Sequence, residues 1–295
     1  MVPPRPARRI TDGPAYDPHM LISTAPQRRL GVPHDEATLR IDQIDPDDRV
    51  STRYLFIEGT PALELSFWTG TSPFLFERKT IGYDISDERV PLDRLERGLD
   101  LIDDEVVATF SGLLPEGEYL PLLVEVTPEL VAPYDDRDYF THEQVATWGI
   151  DTLWGLPQNP LTHYYRTFET EVAPDEHLFE FVVPMVQPNW NDQNRVQHYV
   201  DLVAGGTTPT AVALSMLDRR APAVIAPDAV DYYEHWAVTH FLLDGHHKFE
   251  AAARVGAPLR LLALVNIDES LAGAEAVAEL PDLLRRAPSK RRSKG

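Results

Sequence analysis

The sequence predicts an α+β protein in which a β-rich N-terminal part precedes an α/β C-terminal part. Before about residue 127, alternating polar and apolar runs such as ATLRIDQI and RYLFIEG are separated by turn signals every ten or so residues, which is typical of short strands. After about residue 166, apolar strand-like runs alternate with helix-like runs. No apolar run approaches the roughly 20 residues that a membrane helix needs.

Changes in this pattern divide the chain into four segments. Residues 1–36 hold many prolines and no clear periodicity, so we expect an irregular arm and ordered β structure from about Ala37. The predicted segments are the arm 1–36, a β-rich domain of unknown role at 37–165, an α/β domain at 166–275, and a C-terminal helix with a basic tail at 276–295.

The β-rich part reads as a series of strands with few helices. The strand-like runs are ATLRIDQI, RYLFIEG, ALELSFWTG and FLFERKTIGYDI, with TPA as a turn, followed by the pair EVVATFSGLL and EYLPLLVEV. A short charged helix is expected near 91–102. HEQVATWGIDTLWG resembles a helix with Thr141 as its N-cap.

In the C-terminal part, predicted strands and helices alternate more regularly. Strands are predicted at 178–186, 210–217, 234–243 and 259–265, with a loop beginning at 219. A helix over 192–206 would be capped by Asp192 and ended by Gly205. A further helix follows the turn at 244–245 and stops at Gly256, and 271–286 reads as a helix interrupted by Pro281.

Composition excludes several classes of function. The chain has no cysteine, which excludes disulfides, thiolate nucleophiles and cysteine-based metal centres. Its net charge of −20 argues against specific nucleic-acid binding, which needs a basic face, although residues 285–295 are basic. The opening MVPPRPARRITDGP lacks the apolar core of a signal peptide, so we expect a cytoplasmic protein without a membrane partner.

The stretch 241-FLLDGHHKFEAAARVGAP-258 is the most informative for chemistry. An apolar strand runs into Asp244 and Gly245, and a helix begins at once. Glycine lets a ligand approach the backbone, and the first turn of a helix offers free N–H groups and a positive dipole end. We therefore expect phosphate contacts from Gly245, His246 and an exposed Lys248. The plainer interpretation is a βα turn whose polar residues face water.

This stretch resembles the ParB/sulfiredoxin superfamily, whose members share an L-x-D-G-H-x-R-x-x-A-like pattern. Asp244, Gly245, His246 and Ala251 match it, Leu243 is adjacent to its leucine position, and Lys248 replaces the usual arginine. The upstream runs 178-LFEFVVPMVQP-188 and 196-VQHYVDLVAGGTTPTAVAL-214 resemble the family's opening strand and its helix followed by Gly, Pro and a strand. The resemblance covers about residues 175–270 and implies a ParB/sulfiredoxin-like α/β domain there.

The resemblance implies a nucleotide-binding protein. Sulfiredoxin chemistry is excluded because the catalytic cysteine is missing, and neither the arginine-rich motif nor the DNA-binding domain of partitioning proteins is present. The free serine kinase branch, with its D-G-H-x-R motif, is the nearest functional analogue. It implies an ATP-dependent phosphotransferase with Mg²⁺, or another nucleoside triphosphate, acting on a small hydroxyl substrate. The alternative is a non-catalytic nucleotide-binding or regulatory module.

The roles implied for individual residues follow the motif. Asp244 would be the catalytic base or the magnesium ligand, with His247 as a second catalytic residue. Gly245, His246, Lys248 and the loop residue Arg219 would bind phosphates. Lysine is a point charge, so planar recognition by the family's arginine would be weakened. Asp192 or Glu180 is a candidate for a second carboxylate, and its convergence on Asp244 would favour an enzyme over a binding module.

Other polar and aromatic residues have plainer interpretations. His235 and His240 are five residues apart on one strand, which puts them on opposite faces and disfavours a shared metal. Arg219 and Arg220 read more simply as a solvated pair. The acidic run at 135–138 lacks the spacing of a calcium loop. The aromatic residues Trp148, Trp154, Tyr164, Tyr165 and Trp190 are more typical of core packing than of a base pocket.

Overall fold

The computed structural model describes residues 19–44, 52–67, 76–80, 92–148, 159–174, 176–220, 234–286 and 288. These residues form thirteen strands and six α-helices. In chain order the strands are β1 His19–Thr24, β2 Arg28–Leu30, β3 Leu39–Gln43, β4 Thr52–Ile57, β5 Thr60–Phe67, β6 Phe76–Arg78, β7 Gly117–Val126, β8 Glu129–Val131, β9 Tyr164–Ala173, β10 Glu176–Val183, β11 Thr210–Arg220, β12 Glu234–Asp244 and β13 Leu259–Asn266. The helices are α1 Leu92–Arg97, α2 Asp104–Ser111, α3 Glu143–Trp148, α4 Gln193–Ala204, α5 His246–Val255 and α6 Ala274–Leu283.

Two sheets organise these elements into a mixed, sheet-dominated α+β fold, as the fold class predicted. The larger sheet has nine strands in the order β1-β7-β13-β11-β12-β10-β9-β8, with β2 also paired to β7. Its pairs β10/β12 and β11/β13 are parallel and the others are antiparallel. The smaller sheet has the order β3-β4-β5-β6. The large sheet is curled, and a contact between His19 of β1 and Glu180 of β10 joins strands that are distant in the strand order.

Both faces of the large sheet are buried, which explains why its central strands read as continuous apolar runs. One face packs on the small sheet and on α2, through residues such as Leu55, Phe110 and Leu214. The other face packs on α5 and α6, through residues such as Phe249, Leu280 and Ala213. The core therefore lies in two layers on either side of the sheet.

Residues 19–36 of the predicted N-terminal arm form more regular structure than their sequence suggests. The expected irregular segment 1–36 contains β1 and β2, so described β structure begins at His19 and not near Ala37. Both short strands pair with β7, which supplies their hydrogen-bond partners. Periodicity could not reveal them because edge pairing with a strand a hundred residues later determines their structure.

Two local predictions in the β-rich part were wrong. EVVATFSGLL was expected to be a strand, but Asp104–Ser111 is the helix α2. The side chain of Asp103 accepts hydrogen bonds from the N–H groups of Glu105 and Val106, so a helix cap outweighs the β propensity of the two valines. The turn predicted at TPA, residues 60–62, lies instead at Glu58 and Gly59, both of which have positive φ.

Most elements of the C-terminal part were predicted correctly. Asp192 caps α4, and Gly205 and Gly256 end α4 and α5. The strand β11 continues through Arg219 and Arg220, which had been assigned to a loop.

The domain boundary predicted near residue 165 falls within β9. Strands from both sides of that boundary belong to the same large sheet. Among the described residues, none of the helices combines the length and the apolar character needed to cross a bilayer.

Candidate functional site

The strand, turn and helix predicted around Asp244 are confirmed. β12 ends at Asp244, Gly245 has φ of 104°, and α5 begins at His246. A φ in this range favours glycine because an L side chain is strained there. The turn therefore places Asp244 at the end of a buried strand and the first turn of α5 beside it.

Close packing inside the protein gives a second reason for Gly245. A Cβ atom at this position would overlap the side chain of Ala211 on β11 and lie 3.0 Å from its Cα. The close approach that the sequence assigned to a ligand is thus made to a neighbouring strand. This contact fixes the start of α5 against the large sheet.

Lys248 is not the exposed phosphate-binding side chain that was expected. It is 2% exposed, its ammonium is paired with the carboxylate of Asp244, and it donates to the Thr210 carbonyl at 2.8 Å. The i, i+4 spacing brings the two charges to the same face of the helix start. Lys248 therefore holds Asp244, whose side chain remains 20% exposed, in one orientation.

The two histidines of the motif have different environments. Buried His246 accepts the N–H of Met185 at its Nε2 at 3.0 Å. Burial, opposed by Asp244, lowers the pKa of His246 to about 4, so this ring is neutral at pH 7. His247 is only half-buried and accepts the N–H of Asp192 at 3.2 Å. This bond brings the starts of α4 and α5 together.

Tyr199 on α4 connects Asp244 with a carboxylate that was not considered, Glu96 on α1, which also contacts His198 at 3.1 Å. Burial, together with the carboxylates of Asp244 and of Glu96 on α1, raises the pKa of the Tyr199 hydroxyl to about 12. Exposed Arg195 opposes them through its charge and a hydrogen bond to the hydroxyl. The ammonium of Lys248 is 5.8 Å from the centre of the Tyr199 ring. We call Asp244, Lys248, Tyr199, Arg195 and Glu96 the Asp244 cluster.

A cleft of about 400 Å³ adjoins this cluster. Its lining consists of Arg94 and residues 97–104, which begin directly after Glu96. Thr210 connects the cleft with the turn, because its hydroxyl accepts the N–H of Leu99 at 2.8 Å and its carbonyl accepts from Lys248. No motif marked this side of the site, since α1 lies outside the region of family resemblance.

The structure does not bring Arg219 to this site. The register of β11 against β12 pairs Val212 with Asp244 and Arg219 with Trp236. Asp244 lies eight residues after Trp236 on β12, which corresponds to a distance of about 27 Å along the strand. Arg219 instead pairs with Glu176 and Glu234 at the far end of the sheet. It therefore cannot share a phosphate site with Gly245.

The two carboxylates first considered as partners of Asp244 have other contacts. Asp192 caps α4 through the N–H of Asn194. Glu180 is fully buried between His19 at 3.2 Å and His240 at 3.1 Å, and also accepts the hydroxyl of Thr167. Burial opposes its ionisation, yet the two histidines hold the pKa of Glu180 well below its usual range. Ser215 contacts the other ring nitrogen of His240 at 2.7 Å.

The remaining sequence candidates are mainly structural. His235 and His240 face opposite sides of β12, as predicted: His235 contacts Tyr139 and stacks on Trp148. Trp148, Tyr164 and Tyr165 are buried, Trp190 is half-exposed, and Trp154 lies outside the described residues. Arg220 is buried beside Asp218.

One member of the acidic run is not a surface residue. Asp138 is fully buried, whereas the sequence favoured a bare surface loop for the run 135–138. It accepts hydrogen bonds from the N–H of Tyr134 and the hydroxyl of Tyr164, both at 2.9 Å, and from Thr141. Thr141, expected to cap a helix, therefore helps to fix this loop.

A larger cleft of about 750 Å³ lies between β8, β9 and the end of α5. Its lining residues are Thr127, Pro128, Glu129, Leu130, Arg137, Arg166, Thr167, Phe168, Glu169, Ala253, Gly256 and Pro288. Two of them contact the buried pair of Glu180 and His19: Thr167 donates to Glu180, and the Phe168 ring lies 4.2 Å from that of His19. The sequence did not indicate this cleft.

No group of three or more metal-ligating side chains occurs within the described parts of the chain. A magnesium ion that binds together with a nucleotide needs fewer protein ligands, because one or two carboxylates and the phosphates suffice. Asp244, whose side chain is 20% exposed at the start of α5, is one such carboxylate. Comparisons with models of known protein families, with characterised proteins and with solved structures found no match for the chain.

Proposed function

We propose that the protein binds a nucleoside triphosphate with Mg²⁺ at the start of α5 and transfers a phosphoryl group to a small hydroxyl substrate. The observation that carries the proposal is the partly exposed carboxylate of Asp244, which Lys248 holds beside the starts of α4 and α5. Phosphoryl transfer needs a base and a means of neutralising phosphate charge. The resemblance of 243–251 to nucleotide-binding proteins supports the same function.

In this proposal the phosphates contact the first turn of α5. The N-terminal amides of a helix and its dipole favour anions. Arg195, exposed on α4, supplies a further positive charge. Lys248 acts through Asp244 and is a positioning residue, since its ammonium is buried against that carboxylate.

The roles of magnesium ligand and catalytic base fall to the two carboxylates. Asp244 is the magnesium ligand or the base that accepts the substrate proton, and Glu96 takes the other role. Bound magnesium would neutralise charge on the phosphates. The cleft at 97–104 would hold the hydroxyl substrate, because it begins next to Glu96 and contacts Thr210.

Calorimetric titration with ATP, CTP and GTP in the presence of Mg²⁺ tests binding, and release of nucleoside diphosphate with a panel of small hydroxyl compounds, serine and threonine among them, tests transfer. We expect micromolar affinity for at least one nucleotide, or about −8 kcal/mol. Asp244→Asn and Glu96→Gln should both lose transfer, and the one that removes the magnesium ligand should also weaken binding of the Mg²⁺–nucleotide complex, whereas Glu275→Gln, at an exposed position on α6, should change neither. No heat with any nucleotide contradicts the proposal, and binding without transfer to any compound contradicts its catalytic part.

A further inference from the structure

The larger cleft carries an excess of negative charge. Each of its two arginines is held by two carboxylates: Arg137 contacts Glu129 and Asp135, and Arg166 contacts Glu143 at 2.6 Å and Glu169 at 2.9 Å. Buried His177 lies 2.7 Å from Glu169. Glu129 and Glu169 line the cleft, and Asp135 and Glu143 contact its lining arginines, so carboxylates outnumber guanidinium groups around it. About half of the Glu129 side chain is exposed.

The end of α5 adds to this charge. Ala253 and Gly256 line the cleft, so the carbonyl end of the helix lies at its wall. The C-terminus of a helix carries a partial negative charge and favours cations. Leu130 and Phe168 provide apolar surface on which the aliphatic parts of long basic side chains can pack.

A basic segment of the same chain follows directly from this cleft. Arg286 donates to the carbonyl of Glu171 at 2.9 Å and to that of Val172 at 2.8 Å, and Pro288 is one of the lining residues. Residues 289–295, the basic segment, contain no acidic residue. Its cationic residues are Lys290, Arg291, Arg292 and Lys294. Lys290 is two residues beyond Pro288, or at most about 7 Å along the chain.

We propose that the larger cleft is a docking surface for the basic segment 289–295 of the same chain. The acidic excess, the helix C-terminus and the chain leaving from the lining all favour this occupant over an anion. Docking places a lysine or arginine side chain against Glu129 and Glu169. A second molecule that uses the cleft must then displace the basic segment.

Zero-length carbodiimide cross-linking of the full chain, read by mass spectrometry, tests this proposal. We expect amide links from Lys290 or Lys294 to Glu129 or Glu169, and their loss near 1 M salt, where screening acts over about 3 Å. An equal mixture of ¹⁴N- and ¹⁵N-labelled protein separates links within one chain from links between two. Glu275 and Glu279, exposed on α6, are carboxylates close in sequence to the segment and serve as controls.

Three outcomes would overturn the proposal: no links to the cleft, links spread equally over the α6 controls, or links mainly between differently labelled chains. A variant provides an independent reading. Glu129→Gln leaves Arg137 paired with Asp135, and should raise tryptic cleavage within the basic segment about twofold, the effect of removing one exposed ion pair. Glu275→Gln should leave the cleavage rate unchanged, and equal rates in the two variants contradict docking.

Discussion

At the scale of single residues, the interaction between Asp244 and Lys248 changes the meaning of the motif. A lysine in the first turn of a helix was expected to be exposed and to reach for phosphate. Because Lys248 is buried and also donates to Thr210, its main contribution is to the folded state and to the orientation of Asp244.

Lys248→Ala should therefore lower the free energy of unfolding. A hydrogen bond to a charged group is worth about 1.5–3 kcal/mol, and the variant loses two such bonds while Asp244 keeps access to water. Urea unfolding of both proteins measures the loss. Arg285→Ala, which removes an exposed pair with Asp282, should cost no more than about 0.5 kcal/mol. Equal stability of the two variants would show that Lys248 is not a structural residue.

The sequence predicted which residues form the turn but not what they touch. Its signals were the glycine, the strand before it and the helix after it, which are local. The partners of Lys248 and Gly245 lie on β11, more than thirty residues earlier, and Glu96 lies on a helix that carries no motif. Contacts between distant strands depend on register, which a single sequence does not specify.

At the scale of secondary-structure elements, Gly245 sets the position of α5 against β11. Gly245→Ala should be destabilising for two reasons: a positive φ and an overlap with Ala211. Strain and overpacking together should cost about 2–5 kcal/mol. Gly206 also has a positive φ but has open space around it, so Gly206→Ala should cost only about 1–2 kcal/mol. Thermal unfolding of both variants gives the comparison, and similar midpoints would contradict the packing argument.

β1 is held by its backbone pairing with β7 and also by a side-chain contact with Glu180 of β10. The His19 ring lies between Glu180 and Phe168, whereas the next residue, Met20, is half-exposed. His19→Ala should remove about 1.5–3 kcal/mol of interaction with a buried carboxylate and speed hydrogen exchange throughout β1. Met20→Ala is the matched control on the same strand. Unchanged exchange in the His19 variant would show that pairing with β7 suffices to hold β1.

At the scale of the whole molecule, buried charges join the two sheets. Arg53 of β4 in the small sheet is paired with Asp218 of β11 in the large one and donates to the carbonyl of Glu269 at 2.9 Å. Burial raises the pKa of Glu269 to about 7, with Arg53 opposing and Asp268, Asp42 and Asp218 reinforcing the rise. No sequence motif marks this junction, since its members come from separate segments of the chain.

The raised pKa gives the junction a pH dependence with a definite sign. The folded protein holds a proton on Glu269 that the unfolded chain releases near its ordinary value of 4.5, so this stabilisation is complete below pH 4.5 and is lost as pH rises through 7. Glu269→Gln removes the titration and should gain about 1–3 kcal/mol relative to the natural protein between pH 5 and pH 8. Urea unfolding at both pH values tests this, and a difference that does not vary with pH contradicts it.

The two ends of α5 report whether nucleotide phosphates bind at its start, as we propose. Gly245 precedes its first turn and Gly256 follows its last. In protein labelled with ¹⁵N-glycine, titration with Mg²⁺ and the nucleotide that gives heat should move the amide resonance of Gly245 with a micromolar midpoint and leave that of Gly256 in place. A titration that moves Gly256 and not Gly245, or neither resonance, would contradict the assignment of the site.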